Sequence, residues 1–347
     1  MKTLRSLLVL AVTLGIAALL TACGALDEGS DSKDGVVKAD KDATTVKIGY
    51  LHTIAVDDKL WLGQVDGYFA KQGIDVKATA FDTGIAVSQA LSAGDIDVAI
   101  MGGVTSNFPA QGQGKIFMIN SVENATAQLW VQPGSEITSV KDLKGRKVIT
   151  TFGTTADIYL QKALDKAGLK RSDIQLSNAP MPNAVQAFNS GAVDAVVLWV
   201  PFDLRVQEAD PGAAMIDSAA NYPDAAVADG WIANNSWYDK NQPTIKKLVA
   251  AWLETNAAFR KDPSGSLEKV YDVAYKKDAK LSDLQHQVKF QTDYTNDEWA
   301  QHYENGDVLK WVGTAEQTFV DLGGLPKFVD PKTFFDTSVF LGVAKGQ

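Results

Sequence analysis

The sequence predicts an α/β protein of two lobes, each with a mixed or parallel sheet flanked by helices. Strand-like and helix-like segments alternate in two successive series, which is typical of sheets covered on both faces. The chain has 347 residues, about twice the length of a typical domain. Hydrophobic residues make up 46% and charged residues 22% of it, which excludes disorder throughout.

The first 22 residues are predicted to be a signal peptide and not part of the fold. Lys2 and Arg5 precede an apolar stretch, 7–20, that is shorter than the roughly 20 residues needed to span a bilayer. The stretch ends in Leu-Thr-Ala-Cys, and Cys23 is the single cysteine of the chain. This ending resembles a bacterial lipobox, whose cysteine is lipidated and becomes the first mature residue. An ordinary cleavage site is the alternative.

Residues 23–43 are rich in small and charged residues and predict a flexible tether. A lipid on Cys23 would anchor an extracytoplasmic body to the cell membrane, and no other segment approaches transmembrane length. The formal net charge of the chain is -9, and an acidic protein repels phosphate backbones. We therefore expect a membrane contact through the lipid only, no nucleic-acid partner, and a monomer.

The first series of elements begins directly after the tether. Alternating or apolar runs predict strands, and apolar positions at helical spacing, closed by glycines, predict helices. The predicted strands are 46–50, 74–81, 97–101, 116–122 and 127–131, and the predicted helices are 59–72, 86–93 and 105–111.

The second series repeats the pattern and is followed by a helical tail. Its predicted strands are 147–150, 174–177 and 195–198, and its predicted helices are 139–143, 154–167 and 183–190. From Pro243 onward the chain is mostly helical, and we expect those helices to pack on the first lobe.

Five loops follow predicted strands and are candidates for ligand binding, because ligands of open α/β sheets bind at the carboxyl ends of strands. Three of the five place glycine near threonine before a helix, which suits a small anion. Plain N-capping is the alternative for each threonine. The candidate contacts in these loops are His52, Thr53, Thr83, Gly84, Gly103, Val104, Thr105, Thr154 and Thr155.

Aromatic and acidic residues near those loops are further candidates. Tyr159 follows Thr155 by one helical turn, and Trp199, Phe202 and Trp231 could supply apolar or stacking surface. Core packing is the alternative for Trp199, whereas Phe202 and Trp231 are predicted to lie in loops. The carboxylates of Asp57, Asp203 and Asp229 could meet an ammonium group, or could be solvated loop residues.

No catalytic or metal-binding pattern is present in the sequence. A Gly-x-Ser-x-Gly elbow is missing, and the three histidines lack metal-ligand spacing. His286 and His302 lie among polar residues and are predicted to be at the surface. We expect a binding protein without cofactor or metal, and not an enzyme.

Four segments together resemble the taurine-binding proteins of ABC importers, which group with nitrate, alkanesulfonate and thiamine-pyrimidine binders. Residues 81–97 resemble their FDSG…ALASGD segment, and residues 140–148 match the DLKGK entry to the second lobe. Residues 152–159 resemble a PF-x-ST-x-x-Y segment, and residues 191–201 resemble GDIDAAYVWAP. The order and spacing of the four segments are more specific than any one of them.

This resemblance implies a type II periplasmic-binding-protein fold with the ligand in the cleft between two lobes. It places 44–131 and 229–347 in the first lobe and 132–228 in the second, with crossings near Val131 and Ala228. The anion would meet Thr83, the Gly103-Val104 turn and Thr154-Thr155.

The sequence departs from the taurine-binding pattern at two of its sites. Val104 stands where the family has serine, and Ala127, with Gln128 beside it, stands where taurine binders have glutamate. Taurine, another sulfonate, a carboxylate or a small heterocycle are the ligands to consider.

The resemblance implies a solute-binding protein that delivers its ligand to the permease subunits of an ABC importer. One alternative is an enzyme on the same fold that forms a pyrimidine precursor, although such enzymes are expected to carry a Cys-rich motif. Another is a sensor subunit that hands its ligand to a receptor.

Overall fold

A computed structural model describes residues 35–81, 83–103 and 105–346. The predicted signal peptide, Cys23, the first part of the predicted tether and Val104 lie outside these residues. Within the described part of the chain, no helix is long and apolar enough to cross a membrane.

The described residues form eleven strands and fourteen α-helices, numbered here in chain order. The strands are β1 (Thr44–Leu51), β2 (Ile74–Phe81), β3 (Val98–Met101), β4 (Lys115–Glu123), β5 (Ala127–Val131), β6 (Lys147–Thr150), β7 (Gln175–Asn178), β8 (Ala195–Trp199), β9 (Ala214–Ser218), β10 (Val227–Ala233) and β11 (Gln291–Thr292). The helices are α1 (Ile54–Val65), α2 (Tyr68–Lys71), α3 (Gly84–Ala93), α4 (Asn107–Ala110), α5 (Thr155–Ala167), α6 (Met181–Asn189), α7 (Phe202–Ala209), α8 (Asn235–Lys240), α9 (Gln242–Lys261), α10 (Pro263–Val270), α11 (Leu281–Gln287), α12 (Asn296–Asn305), α13 (Asp307–Asp321) and α14 (Thr337–Ala344). A π-helical turn, Tyr271–Tyr275, continues α10.

The strands form two mixed sheets, one in each lobe. The first has the order β11-β4-β10-β3-β1-β2, with β1 parallel to β2 and β3 and with β10 antiparallel to β3 and β4. The second has the order β7-β6-β8-β5-β9, with β6 parallel to β7 and β8 and with β5 antiparallel to β8 and β9. The predicted architecture of two helix-flanked sheets is confirmed.

The chain crosses between the lobes twice. β4 ends at Glu123 in the first sheet, and β5 begins at Ala127 in the second. The first crossing is therefore 124–126, and the boundary predicted near Val131 is wrong. The five residues of β5 are all buried, so the sequence pattern fits a strand of either sheet. Only the pairing of β5 with β8 and β9 decides that it belongs to the second sheet. The return crossing ends at Val227, where β10 rejoins the first sheet.

Helix α1 starts earlier than the sequence pattern predicts. The predicted helix 59–72 is two helices, and the first begins at Ile54. The run Asp57-Asp58-Lys59 reads as a polar loop, yet all three side chains are fully buried. Charged residues are usually exposed, and these three are buried because they have partners that are distant in sequence.

Each lobe has its own apolar core, and one C-terminal helix contributes to both. Trp252 of α9 is buried in the first core, as expected for the helical tail. In α13, Val308 and Val312 pack in the first core, whereas Ala315 and Phe319 pack in the second. Helix α13 therefore bridges the two lobes along its length.

Candidate ligand-binding cleft

The two lobes meet where the turn after β3 reaches the N-terminus of α5. A Cβ atom built on Gly103 would lie 2.7 Å from Oγ1 and 2.8 Å from the backbone nitrogen of Thr155. Only a residue without a Cβ allows so close an approach. Two of the loops predicted to bind ligand, 102–105 and 152–155, are thus brought together, one from each lobe.

The loop before α5 is held by side-chain hydrogen bonds. Thr154 precedes the helix with an extended backbone, and its side chain makes no cap bond. Its hydroxyl donates instead to the carbonyl oxygen of Thr151 at 2.7 Å. Asp157 accepts from the Gly153 amide at 2.9 Å and from Arg171 Nη1 at 2.7 Å, which steadies the loop. The positive end of the α5 helix dipole therefore lies at the contact between the two lobes.

Two of the candidate threonines serve local structure. Thr83 Oγ1 accepts from the Ala86 amide at 3.2 Å, so Thr83 is the N-cap of α3, and Gly84 is the first residue of that helix. Thr105 is buried and donates to the carbonyl oxygen of Met101 at 2.7 Å. N-capping accounts for Thr83, and a turn contact accounts for Thr105.

The loop after β1 holds a histidine on a buried carboxylate. Nδ1 of His52 lies 2.7 Å from Oδ2 of Asp57, and the hydroxyl of Tyr275 donates to Oδ1 of Asp57 at 2.6 Å. The His52 and Tyr275 rings are stacked with centroids 4.0 Å apart. Burial raises the pKa of Asp57, and the hydrogen bonds from His52 and Tyr275 oppose that rise. Thr53 forms the N-cap position of α1 without a side-chain cap bond.

A second carboxylate, Asp203 of α7, joins the lobes. Its Oδ2 lies 2.6 Å from Nε2 of His286 on α11, which packs in the first lobe. Asp203 is 1% exposed, and its Oδ1 has no hydrogen-bond partner among the described residues. The prediction that His286 lies at the surface is wrong: the residue is half-buried and paired across 83 positions of sequence, which no local pattern reveals.

A pair of carboxyl groups lies on the strands next to the two crossings. Ser121 donates to Oδ2 of Asp229 at 2.5 Å, and Thr126 donates to Oε2 of Glu123. A Cβ on Gly102 would lie 3.0 Å from Oε1 of Glu123 and 3.1 Å from Oδ1 of Asp229, so these two oxygens face one spot.

The environment of this pair favours its protonated forms. Burial and the charge of Glu123 raise the pKa of Asp229 well above its ordinary value, and burial raises the pKa of Glu123. The sequence analysis does not identify Glu123 as a candidate residue. A glutamate that ends an otherwise apolar strand was the available signal.

The aromatic candidates divide into cleft and core residues. Trp199 and Phe202 are half-buried at the end of β8, with ring centroids 5.4 Å apart. Trp231 is fully buried in β10 and donates to Asn120 Oδ1 at 3.2 Å. Its predicted loop position is wrong because every residue of β10 is buried, which removes the alternation that marks a strand. Phe202, also predicted in a loop, begins α7.

Two further candidates are buried in the second lobe. Tyr159 is fully buried, with its ring edge against Tyr222 at 5.6 Å. Gln128 is 2% exposed, and its Oε1 accepts from Trp130 Nε1 at 2.8 Å. Among the described residues, no group of three or more His, Cys, Asp or Glu could hold a metal ion.

Comparisons with known proteins find a matching family model and several similar proteins. The sequence model described as NMT1/THI5-like matches residues 59–266. A protein of Brucella abortus (strain 2308) named as a binding protein is 30% identical over 303 residues, covering 86% of this chain and 92% of that one. The taurine-binding periplasmic protein of Escherichia coli (strain K12) is 24% identical over 289 residues, covering 81% and 88%. The crystal structure of the periplasmic aliphatic sulphonate binding protein of Escherichia coli superposes with a TM-score of 0.67 at 21% identity, covering 86% and 99%.

Proposed function

We propose that this chain, which belongs to the NMT1/THI5-like family, is the solute-binding protein of an ABC importer. Its ligand is a small organic anion or zwitterion, with taurine or another sulfonate first and a carboxylate or small heterocycle next. The names of the relatives that bind taurine and aliphatic sulfonates support this order.

The contact between Gly103 and Thr155 carries the proposal. It sets the positive end of α5 against the strand ends of the first lobe, so an acid group held there touches both lobes. A ligand that contacts both lobes shifts the population toward the closed form. Trp199 and Phe202 supply apolar surface at the end of β8, in the second lobe. No residue is assigned a catalytic role.

The remaining parts of the proposal concern place and partners. The body is extracytoplasmic and monomeric, is held to the cell membrane by a lipid on Cys23, and delivers its ligand to permease subunits. The ending Leu-Thr-Ala-Cys and the tether after it support the anchor. Labelling cells with a radioactive fatty acid tests it: the wild-type chain is expected to be labelled, and an unlabelled chain, or label retained by Cys23→Ser, contradicts the anchor.

The binding role is tested by ligand-dependent melting of the mature chain carrying Cys23→Ser. The panel is taurine, ethanesulfonate, propionate, nitrate and a hydroxymethylpyrimidine. A ligand at a hundredfold excess over Kd stabilises the folded state by about 2.7 kcal/mol, which raises Tm measurably. A rise with a sulfonate supports the proposed order, a rise with another member reassigns the ligand, and no rise with any member contradicts the binding role.

A further inference from the structure

The loop after β1 contains a hydrogen-bonded assembly that capping and core packing do not explain. Its members are His52, Asp57 and Tyr275, which we call the His52 assembly. The two oxygens of Asp57 are both used, one by Nδ1 of His52 and the other by the Tyr275 hydroxyl. Asp57 is fully buried, whereas 27% of the His52 side chain is exposed. A buried carboxylate thus orients a ring that is itself only partly buried.

His52 directly follows β1, at the strand ends that form the cleft. Tyr50 pairs in parallel with Ile100, so β1 and β3 end at the same edge of the sheet, where His52 follows one strand and the turn with Gly102 follows the other. No group in 35–81, 83–103 or 105–346 hydrogen-bonds Nε2 of His52. We propose that Nε2 of His52 binds the acid group of the ligand, and that Asp57 and Tyr275 are its positioning residues. This inference rests on the proposed binding function.

The chemistry of the assembly favours an anion at Nε2. When Asp57 is ionised, its carboxylate only accepts hydrogen bonds, so Nδ1 of His52 then carries a proton toward Asp57. Nε2 can then donate only when the ring is an imidazolium, and an acid group stabilises that form. The face of Tyr275, stacked at 4.0 Å, favours a cation further. Binding of an anionic ligand is therefore coupled to uptake of a proton by His52.

The groups around the ring are consistent with this coupling. Asp57 faces it from α1, Tyr50 from β1 with centroids 6.0 Å apart, and Tyr275 from the π-helical turn. Burial raises the pKa of both tyrosines, so both stay neutral near pH 7. The next charges along α1 are Asp58 and Lys59; Lys59 forms a buried ion pair with Asp58 and also contacts Asp293. Asp57 is thus the charged group in direct contact with the imidazole.

The test is calorimetry on the mature chain carrying Cys23→Ser, with taurine, ethanesulfonate and propionate as probes. Titrations in buffers of different ionisation enthalpy measure the protons taken up on binding. The wild-type chain is expected to take up a proton and to bind more weakly as pH rises from about 5 to 8. His52→Gln is expected to abolish the uptake and to weaken binding roughly 10- to 100-fold, the range for a hydrogen bond to a charged group. Asp57→Asn is expected to lower both the proton uptake and the affinity, although Nε2 of His52 is retained.

His302→Gln is the matched control. Nδ1 of His302 lies 2.8 Å from Oδ2 of Asp307, and 24% of its side chain is exposed, so it repeats the dyad away from the cleft. It is expected to leave affinity and proton uptake unchanged. Tight binding without uptake, or equal affinity in a folded His52→Gln variant, overturns the role of His52 and leaves the binding function intact. No binding of any probe overturns the proposed ligand class and this inference with it.

Discussion

At the scale of single residues, the cleft depends on one missing side chain. Gly103 brings its backbone against Thr155, and the space for a Cβ is already occupied by the threonine. A Cβ contact under 3 Å forces one lobe to move. Because Thr155 belongs to the other lobe, the strain falls on the closed form and not on either core.

Gly103→Ala is therefore expected to weaken ligand binding at least tenfold while shifting the Tm of the ligand-free protein by only a few degrees. Calorimetry with the best ligand of the panel and a melting curve measure the two effects. Gly324→Ala is the control, since its added Cβ would lie 3.4 Å from its nearest neighbour, an ordinary contact. Equal affinity in the Gly103 variant would contradict a closed ligand-binding form with this contact.

Glu316 of α13 is expected to make the stability of the folded state depend on pH. Its side chain is fully buried; Oε1 accepts from the Val329 amide at 2.6 Å, and Oε2 has no partner in the described chain. Burial raises the pKa of Glu316 from 4.5 to about 6. The folded state thus binds more protons than the unfolded state between these values, so stability falls as pH rises through that window.

Glu316→Gln keeps the acceptor for Val329 and removes the titration. The variant is expected to match the wild type below about pH 4.5 and to exceed it by up to about 2 kcal/mol above about pH 6. Urea unfolding at several pH values measures this difference. A constant difference between the two proteins at every pH would show that Glu316 does not titrate with the raised pKa.

At the scale of elements, α1 is held to the C-terminal part of the first lobe by a buried ammonium. Nζ of Lys59 lies 2.8 Å from Oδ2 of Asp58, contacts Asp293 just after β11, and sits 4.2 Å from the ring centroid of Phe259 on α9. Burial lowers the pKa of Lys59, but the charges of Asp293 and Asp58 outweigh burial and raise it.

Lys59→Met is expected to cost roughly 3–5 kcal/mol in the free energy of unfolding, because it leaves two buried carboxylates unpaired. Lys71→Met is the matched control: Lys71 pairs with Glu254 at 2.6 Å, but its side chain is 65% exposed. Exposed pairs contribute at most about 1 kcal/mol. Urea unfolding of both variants tests this, and equal losses would contradict a role for burial.

At the scale of the whole molecule, a polar contact outside the strand ends joins the two lobes. Asp203 of α7 and His286 of α11 meet at 2.6 Å, and α13 packs against both cores. Since opening would return the Asp203 carboxylate to water, removing its partner penalises the closed form selectively.

His286→Ala is expected to weaken ligand binding roughly 5- to 20-fold, through a shift toward the open form. Small-angle scattering of the ligand-bound variant at subsaturating ligand is expected to show a larger radius of gyration than the wild type. His302→Ala, at the dyad away from the cleft, should leave both quantities unchanged. Unaltered affinity in His286→Ala would place the contact outside the closing motion.

The sequence by itself determined the fold class, the two series of elements and the family. Strand and helix periods and glycine stops are local signals, so most predicted elements lie within a few residues of the observed ones. The loops that hold Gly103 and Thr155 were also predicted, because parallel strands present their carboxyl ends at one edge.

Only the tertiary structure decided which lobe receives β5, that Trp231 and Tyr159 are core residues, and that Glu123, His286 and Tyr275 have partners in the site. Strand pairing and buried charge pairs depend on residues far apart in sequence, up to 234 positions for Lys59 and Asp293. A buried charged run such as Asp57-Asp58-Lys59 looks solvent-exposed until its partners are known. The local residue pattern indicates which secondary structure a segment forms. Contacts between residues far apart in sequence decide which partners its polar groups have.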